Sequence, residues 1–286
     1  MIVSIQGVKG SFHEEAAVRL FNHPKLLERD TFEEVFSDTI EGRADFSIIA
    51  IENSIVGSLI YNYDKLAKSG LYIVAETYLK ISHCLIGLPG STLHDIDEIW
   101  SHPMAIEQCR TYLSGLNAKI VSSDDTAGSV ERIMRTRAKN IAAIASARSA
   151  HIYEAQIIQT AIETDPHNYT RFLVLSRDPE VRPSTHQNTK TSIIAHIDDK
   201  PGSLYELLGL IKAASVNLSK IESRPRIGMP WKYDFYLDLD LDASSLIGQD
   251  ILKGITDHIS DLKVLGTYPR VGDPTPEVNN DDQINP

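Results

Sequence analysis

The first 178 residues alternate short apolar runs with segments whose apolar residues recur at helical spacing. Strands are predicted at residues 2–5, 45–51, 71–75, 82–88, 119–121, 141–145 and 173–175. Helices are predicted between them, at about 12–21, 31–42, 58–68, 104–113, after 124–129 to about 136, and up to 150. Two helix starts have capping-box spacing, Ser11 with Glu14 and Thr31 with Glu34. This alternation predicts an α/β fold with largely parallel sheets.

A second, more compact pattern follows residues 179–188, which are rich in Pro, Ser, Thr and Asn and are predicted to be a linker. Residues 189–271 give the order strand, helix, strand, strand, helix, strand. The predicted bounds are 191–197, 203–213, 216–221, 232–241, 244–258 and 262–267. This βαββαβ order predicts a ferredoxin-like domain. Residues 272–286 have little to bury and are expected to be disordered.

Composition narrows the class of protein. The formal net charge of −11 over 286 residues argues against binding the phosphate backbone of a nucleic acid. Cys84 and Cys109 lack metal-ligand spacing and are expected to be small core residues. No apolar run approaches the length that crosses a membrane, and no secretory signal precedes the first strand. We therefore expect a cytoplasmic protein without a membrane or nucleic-acid partner.

Polar clusters stand where predicted strands give way to helices, at 10–11, 52–54, 101–103 and 125–129. In open α/β sheets, ligands gather outside the carboxyl ends of strands, where helix N-termini favour anions. A further cluster, Asn168-Tyr169-Thr170-Arg171-Phe172, stands at the entrance of an apolar strand. Its guanidinium is suited to a carboxylate. Taken alone, each cluster is equally consistent with a purely structural role. The hydroxyls could be helix caps, and Arg171 could be the partner of an internal acid.

Together these clusters resemble the ordered motifs of prephenate dehydratases. The motifs are 7–11 (GVKGS), 51–54 (IENS), 102–109 (HPMAIEQC), 125–130 (DTAGSV) and 168–172 (NYTRF). The second domain resembles the ACT domain of the same family through 201–204 (PGSL) and 222–225 (ESRP). The resemblance covers about residues 1–270. It implies a two-lobed catalytic domain, like a periplasmic binding protein, over 1–178. Lobe one would comprise about 1–78 and 165–178, and lobe two about 79–164.

The resemblance implies a lyase that converts prephenate to phenylpyruvate, carbon dioxide and water in L-phenylalanine biosynthesis. Since aromatisation drives the reaction, no cofactor and no metal is expected. Similarity places Thr170 at the leaving hydroxyl and Arg171 on a substrate carboxylate, with Phe172 completing the catalytic set. The residues expected to bind substrate through neutral donors are Ser11, Asn53, Ser54, Thr126 and Ser129.

The resemblance also implies feedback inhibition by L-phenylalanine and a homodimer or homotetramer built through the second domain. The effector site would comprise Gly202, Ser203, Leu204, Asn217, Glu222, Ser223, Arg224 and Pro225. Two alternatives stay open. One is arogenate dehydratase, which uses the same architecture on the transaminated substrate. The other is a non-catalytic amino-acid sensor that keeps both folds.

Two departures from the family pattern bear on the site. The loop after Gly10 usually reads Ser-Tyr-Ser or Ser-Tyr-Thr, and here Phe12-His13 replaces the last two residues. The proline commonly found two residues before the Glu-Asn-Ser run is Ala50 here. From the sequence, His13 is expected on a solvated first helical turn and His102 as a helix cap. Glu52 is expected to bind backbone N–H groups or an arginine.

Overall fold

The structure is a computed structural model that describes residues 1–181, 189–226, 229 and 231–272. Most of the predicted linker and the tail from residue 273 onward lie outside the described residues. In the described part, none of the helices combines the length and apolar character needed to cross a membrane.

The elements follow one another in three groups. Lobe one contains β1 (Ile2–Gln6), α1 (Phe12–Leu20), β2 (Lys25–Arg29), α2 (Phe32–Ile40), β3 (Phe46–Asn53), β4 (Gly57–Ser58), α3 (Ile60–Ser69), β5 (Tyr72–Lys80) and, after lobe two, β11 (Tyr169–Ser176). Lobe two contains β6 (Cys84–Gly87), a 3₁₀ turn (Leu93–Asp95), β7 (Glu98–Ser101), α4 (Pro103–Gln108), α5 (Arg110–Leu113), β8 (Lys119–Ser122), α6 (Thr126–Thr136), β9 (Ile141–Ala145), α7 (Ala147–Ile152) and β10 (Gln156–Gln159). The C-terminal domain contains β12 (Thr189–His196), α8 (Ser203–Ala213), β13 (Leu218–Pro225), β14 (Tyr233–Leu239), α9 (Leu246–Thr256) and β15 (Asp261–Pro269).

Each group forms its own sheet. Lobe one has the strand order β2-β1-β3-β11-β5, with β4 paired to β3. Lobe two has the order β10-β6-β9-β7-β8, and the C-terminal domain has β13-β14-β12-β15. The sheets are less parallel than the alternation predicts, because β11 runs antiparallel to both β3 and β5, and β6 runs antiparallel to both β10 and β9. Strands β2, β7 and β10 were missed because each is short and mixes polar with apolar residues.

The lobe-one sheet is covered on both faces by different partners. On one face α1 packs over a core that includes Val3, Ile48, Phe172 and Val174. On the other face, Leu173 and Leu175 pack with α2, α3 and residues of the C-terminal domain. Successive residues of β11 therefore serve opposite faces, as the period of a strand requires.

The C-terminal domain lies directly on lobe one. Its β15 approaches the backbone of β5 so closely that a Cβ added at Gly266 would lie 2.1 Å from the carbonyl oxygen of Ile73. Ile194, Tyr236, Leu265 and Tyr268 complete the apolar contact. The interface joins apolar packing to the buried charges described below.

Candidate active site

A cleft of about 280 Å³ opens between the two lobes. Lobe one contributes side chains from β1, the start of α1 and the ends of β3 and β11. Lobe two contributes α4, the start of α6 and the segment after β5. The lining residues are Gln6, Ser11, Phe12, His13, Phe32, Ala50, Asn53, Val56, Leu59, Ile81, His83, His102, Met104, Ala105, Gln108, Asp124, Asp125, Thr126, Thr170 and Phe172. Among these described lining residues none is lysine or arginine.

Thr170 and Asn53 form the polar centre of the lobe-one wall. The two residues are register partners on β11 and β3, and Asn53 Nδ2 donates to Thr170 Oγ1 at 3.0 Å. The orientation of this amide is fixed, because Asn53 Oδ1 accepts from the backbone N–H groups of Ile55 and Val56, both at 3.0 Å. The threonine oxygen therefore serves as an acceptor towards Asn53, and its own proton is left for another acceptor.

Arg171 lies on the other face of β11, away from the cleft. Its guanidinium donates to Glu76 at 2.9 Å, to Asp238 at 2.6 Å and to the Tyr268 hydroxyl at 2.9 Å. The side chain is only 4% exposed. This placement contradicts the prediction that Arg171 holds a substrate carboxylate. The interpretation as a strand arginine paired with internal acids is the one the structure supports.

Phe172 returns to the cleft face, where its ring packs edge-on against His13 with centroids 5.1 Å apart. His13 is 9% exposed, so the prediction that it lies on a solvated turn is wrong. Its Nε2 accepts from the Ala50 N–H at 3.3 Å. Burial lowers the pKa of His13 to about 4, which leaves the imidazole neutral near pH 7. The two departures from the family pattern thus meet in one contact, which a proline at residue 50 could not make because it has no N–H.

The predicted hydroxyl donors divide into two groups. Ser11 and Thr126 line the cleft at the first turns of α1 and α6. Ser54 does not line it, because its hydroxyl donates to the His167 carbonyl at 2.8 Å and accepts from the Tyr169 N–H at 2.9 Å. Ser129 is buried inside α6, where it donates to the Asp125 carbonyl at 2.7 Å. These contacts contradict a substrate-binding role for Ser54 and Ser129.

The opposite wall contains a pair that the sequence analysis did not single out. His83 Nε2 lies 2.8 Å from Gln108 Oε1, and both side chains line the cleft. Burial lowers the pKa of His83. Gln108 lies inside the 102–109 motif, so the motif could have indicated it, whereas His83 is a lone histidine before an apolar strand and gave no signal. His102 caps α4 as predicted, accepting from the Met104 N–H.

The two lobes are tied together beside the cleft at Gly10. Its carbonyl accepts from the hydroxyls of Ser146 and Ser149, both at 2.8 Å. Gly10 has φ +88°, and an added Cβ would lie 2.9 Å from the Ser149 Cα. Arg148 closes the junction by donating to Glu14 at 2.6 and 2.8 Å. The GVKGS motif therefore positions the lobes as well as the start of α1.

The C-terminal domain has a cavity of about 330 Å³ on the helix-bearing face of its sheet. Three of the predicted effector residues, Gly202, Ser203 and Leu204, line it together with Tyr205, Trp231, Tyr233 and Phe235.

The other predicted effector residues do not line this cavity. Glu222 accepts from Ser58, Arg224 donates to Asp64, and Asn217 donates to Asp240. Ser223 and Pro225 are exposed on β13, an edge strand of the sheet. The side chains of Glu222 and Arg224 are thus committed to contacts with lobe one, in contradiction to their predicted place in an effector pocket.

A family model described as prephenate dehydratase matches residues 3–180. The chain belongs to the prephenate dehydratase family. Curated relatives agree with this assignment. Arogenate dehydratase/prephenate dehydratase 1 of Arabidopsis thaliana is 35% identical over 281 residues, which cover 93% of this chain and 71% of that protein. Arogenate dehydratase 1 of Petunia hybrida is 36% identical, covering 93% of this chain and 66% of that one.

Solved structures confirm the predicted fold. The prephenate dehydratase of Arthrobacter aurescens, solved with L-Phe, has a TM-score of 0.84 and 28% identity, over 94% of this chain and 90% of that one. GqqA, a quorum-quenching acylase, also has a TM-score of 0.84, with 30% identity over 95% of this chain and 98% of that one. The two-lobed α/β fold with an added βαββαβ domain is therefore shared along nearly the whole chain.

Proposed function

We propose that this chain is a prephenate dehydratase that removes carbon dioxide and water from prephenate to give phenylpyruvate in L-phenylalanine biosynthesis. Family membership supports a dehydratase acting on prephenate or arogenate. The observation that carries the mechanism is the Thr170 hydroxyl, held by Asn53 at the wall of the interlobe cleft.

Thr170 would donate a hydrogen bond to the ring hydroxyl as its C–O bond breaks, and the departing hydroxide would take a proton from solvent to become water. Because Asn53 donates to its oxygen, the threonine proton is directed away from β3 and towards the cleft. A threonine hydroxyl is too weak an acid to transfer a proton unaided. Its contribution is a preorganised hydrogen bond that strengthens as negative charge develops on the departing oxygen. We therefore assign Thr170 the contact with the leaving group and Asn53 its orientation.

The substrate is a dianion, and the described cleft residues offer it no lysine or arginine. The first turns of α1 and α6 enter the cleft at Ser11 and Thr126. Backbone N–H groups at helix N-termini lack intrahelical partners and favour anions. We propose that these two helix starts, with the hydroxyls of Ser11 and Thr126, hold the side-chain carboxylate. Phe172 and neutral His13 would provide the apolar wall beside the ring.

The cleft geometry favours dehydration over acylase activity, the activity named for GqqA. A serine–histidine nucleophile needs the two side chains within hydrogen-bonding reach. In the described cleft, His13 pairs with Ala50, His83 with Gln108, and His102 with the Met104 N–H. No cleft histidine in the described part of the chain therefore has a serine as its hydrogen-bond partner.

A direct assay distinguishes prephenate from arogenate as the substrate. The purified protein is incubated with prephenate and, separately, with arogenate, and phenylpyruvate and phenylalanine are quantified. We expect phenylpyruvate from prephenate. A marked preference for arogenate would make the chain an arogenate dehydratase. Turnover of neither substrate, combined with binding of L-phenylalanine, would make it a sensor.

We propose further that L-phenylalanine inhibits by binding at the C-terminal cavity. The Arthrobacter aurescens structure that this chain resembles contains L-Phe. Gly202 has φ +91°, so it opens α8 in a conformation that other residues rarely adopt, beside the cavity. Exposed Ser223 and Pro225 on the edge of the sheet suit a site completed by a second copy, in a homodimer or homotetramer. Sedimentation with and without L-phenylalanine tests this assembly.

A further inference from the structure

The C-terminal domain reaches the back of the strands that carry the Asn53–Thr170 pair. In the register of β3 and β11, Thr170 lies opposite Asn53, and Arg171 lies opposite Glu52. The first pair faces the cleft, whereas the second faces the C-terminal domain. Thr170 is therefore followed in the chain by Arg171, and Asn53 is preceded by Glu52. Both charged residues lie on the far side of the sheet.

Both charged residues are held by the C-terminal domain. Asp238 of β14 binds Arg171 at 2.6 Å, and Lys220 of β13 binds Glu52 at 2.8 Å. Tyr268 of β15 adds an acceptor for Arg171 at 2.9 Å. The C-terminal domain thus contacts the neighbours of the two residues that form the hydrogen bond at the cleft.

The charges around Arg171 are buried and balanced. Arg171 and Lys190 supply two cations, and Glu76 and Asp238 supply two carboxylates, with Lys190 2.9 Å from Glu76. All four side chains are buried. Burial alone would raise the pKa of Asp238, but the positive charge of Arg171 keeps it lowered, so both partners stay charged. A buried charge tolerates little displacement from its partner, because separation leaves it without solvation.

We propose that Arg171 is a positioning residue that makes the placement of the Thr170 hydroxyl depend on the docking of the C-terminal domain through Asp238. This inference rests on the proposed dehydratase function for its kinetic readout. Any movement of β14 relative to lobe one shifts Asp238, pulls on Arg171 and turns β11 at the adjacent residue. Thr170 then leaves the geometry in which Asn53 orients it.

The same strand connects this link to the effector cavity. Tyr233 and Phe235 of β14 line the cavity, while Tyr236 and Asp238 face lobe one. A ligand in the cavity that shifts β14 would therefore act at Arg171 without any contact to the catalytic cleft. Coupling of this kind is typically about 5- to 150-fold in an equilibrium constant.

The test compares two isosteric substitutions at interdomain Arg–Asp pairs. Asp238→Asn removes the negative charge of one of the two buried carboxylates that bind Arg171. Asp64→Asn removes the negative charge that binds Arg224 at 3.1 Å, and Asp64 lies on α3 instead of β11. We expect Asp238→Asn to lower kcat at least about fivefold with little change in KM. Asp64→Asn should leave kcat near the wild-type value. Tyr268→Phe, which removes a neutral acceptor from Arg171, should lower kcat in the same direction and less.

Hydrogen exchange supplies a readout that needs no turnover. Amides of residues 169–172 and 50–53 should exchange faster in Asp238→Asn than in wild type or Asp64→Asn, at temperatures where circular dichroism shows all three folded. If the wild-type protein turns over neither substrate, the proposed function fails and this measurement still decides the link. Unchanged exchange and unchanged kcat in folded Asp238→Asn would overturn the proposal, as would equal losses in both Asp→Asn variants.

The second part of the test measures the binding of L-phenylalanine to the full-length protein and its inhibition by L-phenylalanine. Asp238→Asn should still bind L-phenylalanine by calorimetry, because its cavity is unaltered, but inhibition should weaken at least about fivefold. Inhibition of unchanged strength in this variant would show that the signal travels by another route and would overturn the part of the proposal that concerns β14.

Discussion

Replacing Asn53 by aspartate should reverse the hydrogen bond that orients Thr170. The substitution keeps the shape of the side chain, and Oδ1 can still accept from Ile55 and Val56. The Nδ2 donor is lost, and a carboxylate oxygen takes its place 3.0 Å from Thr170 Oγ1. Thr170 would then donate to this oxygen and no longer into the cleft.

The magnitude follows from the loss of one preorganised donor, which typically lowers kcat by about 10²- to 10³-fold. Stability should fall too, because Asn53 Nδ2 also lies 2.7 Å from Asn168 Oδ1 and 3.1 Å from the Tyr169 carbonyl. A carboxylate here removes the donor to Asn168 Oδ1, at about 1–3 kcal/mol, whereas the Tyr169 carbonyl keeps the Ser54 N–H at 2.8 Å. Kinetics therefore have to be measured at a temperature where circular dichroism shows the variant folded.

The assay is kcat and KM for Asn53→Asp between pH 5 and pH 8, with wild type measured beside it. The introduced carboxyl group is buried among acceptors, which favours its protonated form. As the pH falls, this form regains a donor, so the deficit relative to wild type should shrink. Thr170→Val should lose as much activity, and the double substitution should lose little more, because both changes remove the same hydrogen bond.

Ser54→Ala provides the matched control. Ser54 is adjacent in sequence and also binds the 167–169 segment, but its hydroxyl does not touch Thr170. We expect its kcat to stay near that of wild type. A folded Asn53→Asp enzyme with wild-type kcat, or a Ser54→Ala enzyme with an equal loss, would refute the orientation of Thr170 by Asn53.

Four further outcomes are expected. Gly10→Ala should raise KM by weakening the lobe junction, since its Cβ would meet the Ser149 backbone at a positive φ; wild-type KM would count against this. The pKa of His13 is lowered from 6.5 to about 4, so the unfolded state takes up the proton first as the pH falls. Melting curves between pH 7 and pH 4 should therefore show that the wild-type protein loses up to about 3 kcal/mol of stability. The His13→Phe variant should lose less stability over the same range. Gly202→Val should abolish inhibition by L-phenylalanine through backbone strain, with turnover retained; persisting inhibition would place the effector elsewhere. Met104→Lys should lower KM and kcat together by adding a cation to the cleft, whereas Met104→Leu should change neither.

The sequence predicted the order of elements well, because buried strands and capped helices leave strong local signals. The run at 45–51 is nearly all apolar and became β3, and Ser11 and Thr31 cap α1 and α2 as their spacing predicts. The missed strands carry no such signal. β2 reads Lys-Leu-Leu-Glu-Arg at the edge of its sheet, where one side faces water and charged residues are tolerated.

The error over Arg171 came from the predicted start of the strand, which was placed at residue 173 with Thr170 and Arg171 at its entrance. In the structure β11 begins at Tyr169, and adjacent residues of a strand point to opposite faces, so Thr170 and Arg171 cannot both face the cleft. The two residues are neighbours in the sequence but do not lie on the same face of the strand. By contrast, the burial of His13 could not be predicted, because it depends on Ala50 and Phe172, which approach from other strands.

A cleft whose described lining has no lysine or arginine fits the chemistry better than the expected arginine would. Loss of carbon dioxide moves charge out of the ring carboxylate, so a cation fixed on that group would stabilise the substrate more than the transition state. Donors aimed at the departing hydroxyl act in the opposite sense, because charge develops there as the bond breaks. The structure places the neutral donor Thr170, oriented by Asn53, at the cleft and Arg171 behind the sheet. The guanidinium can therefore set the position of the threonine through the backbone without holding back the carboxylate that has to leave.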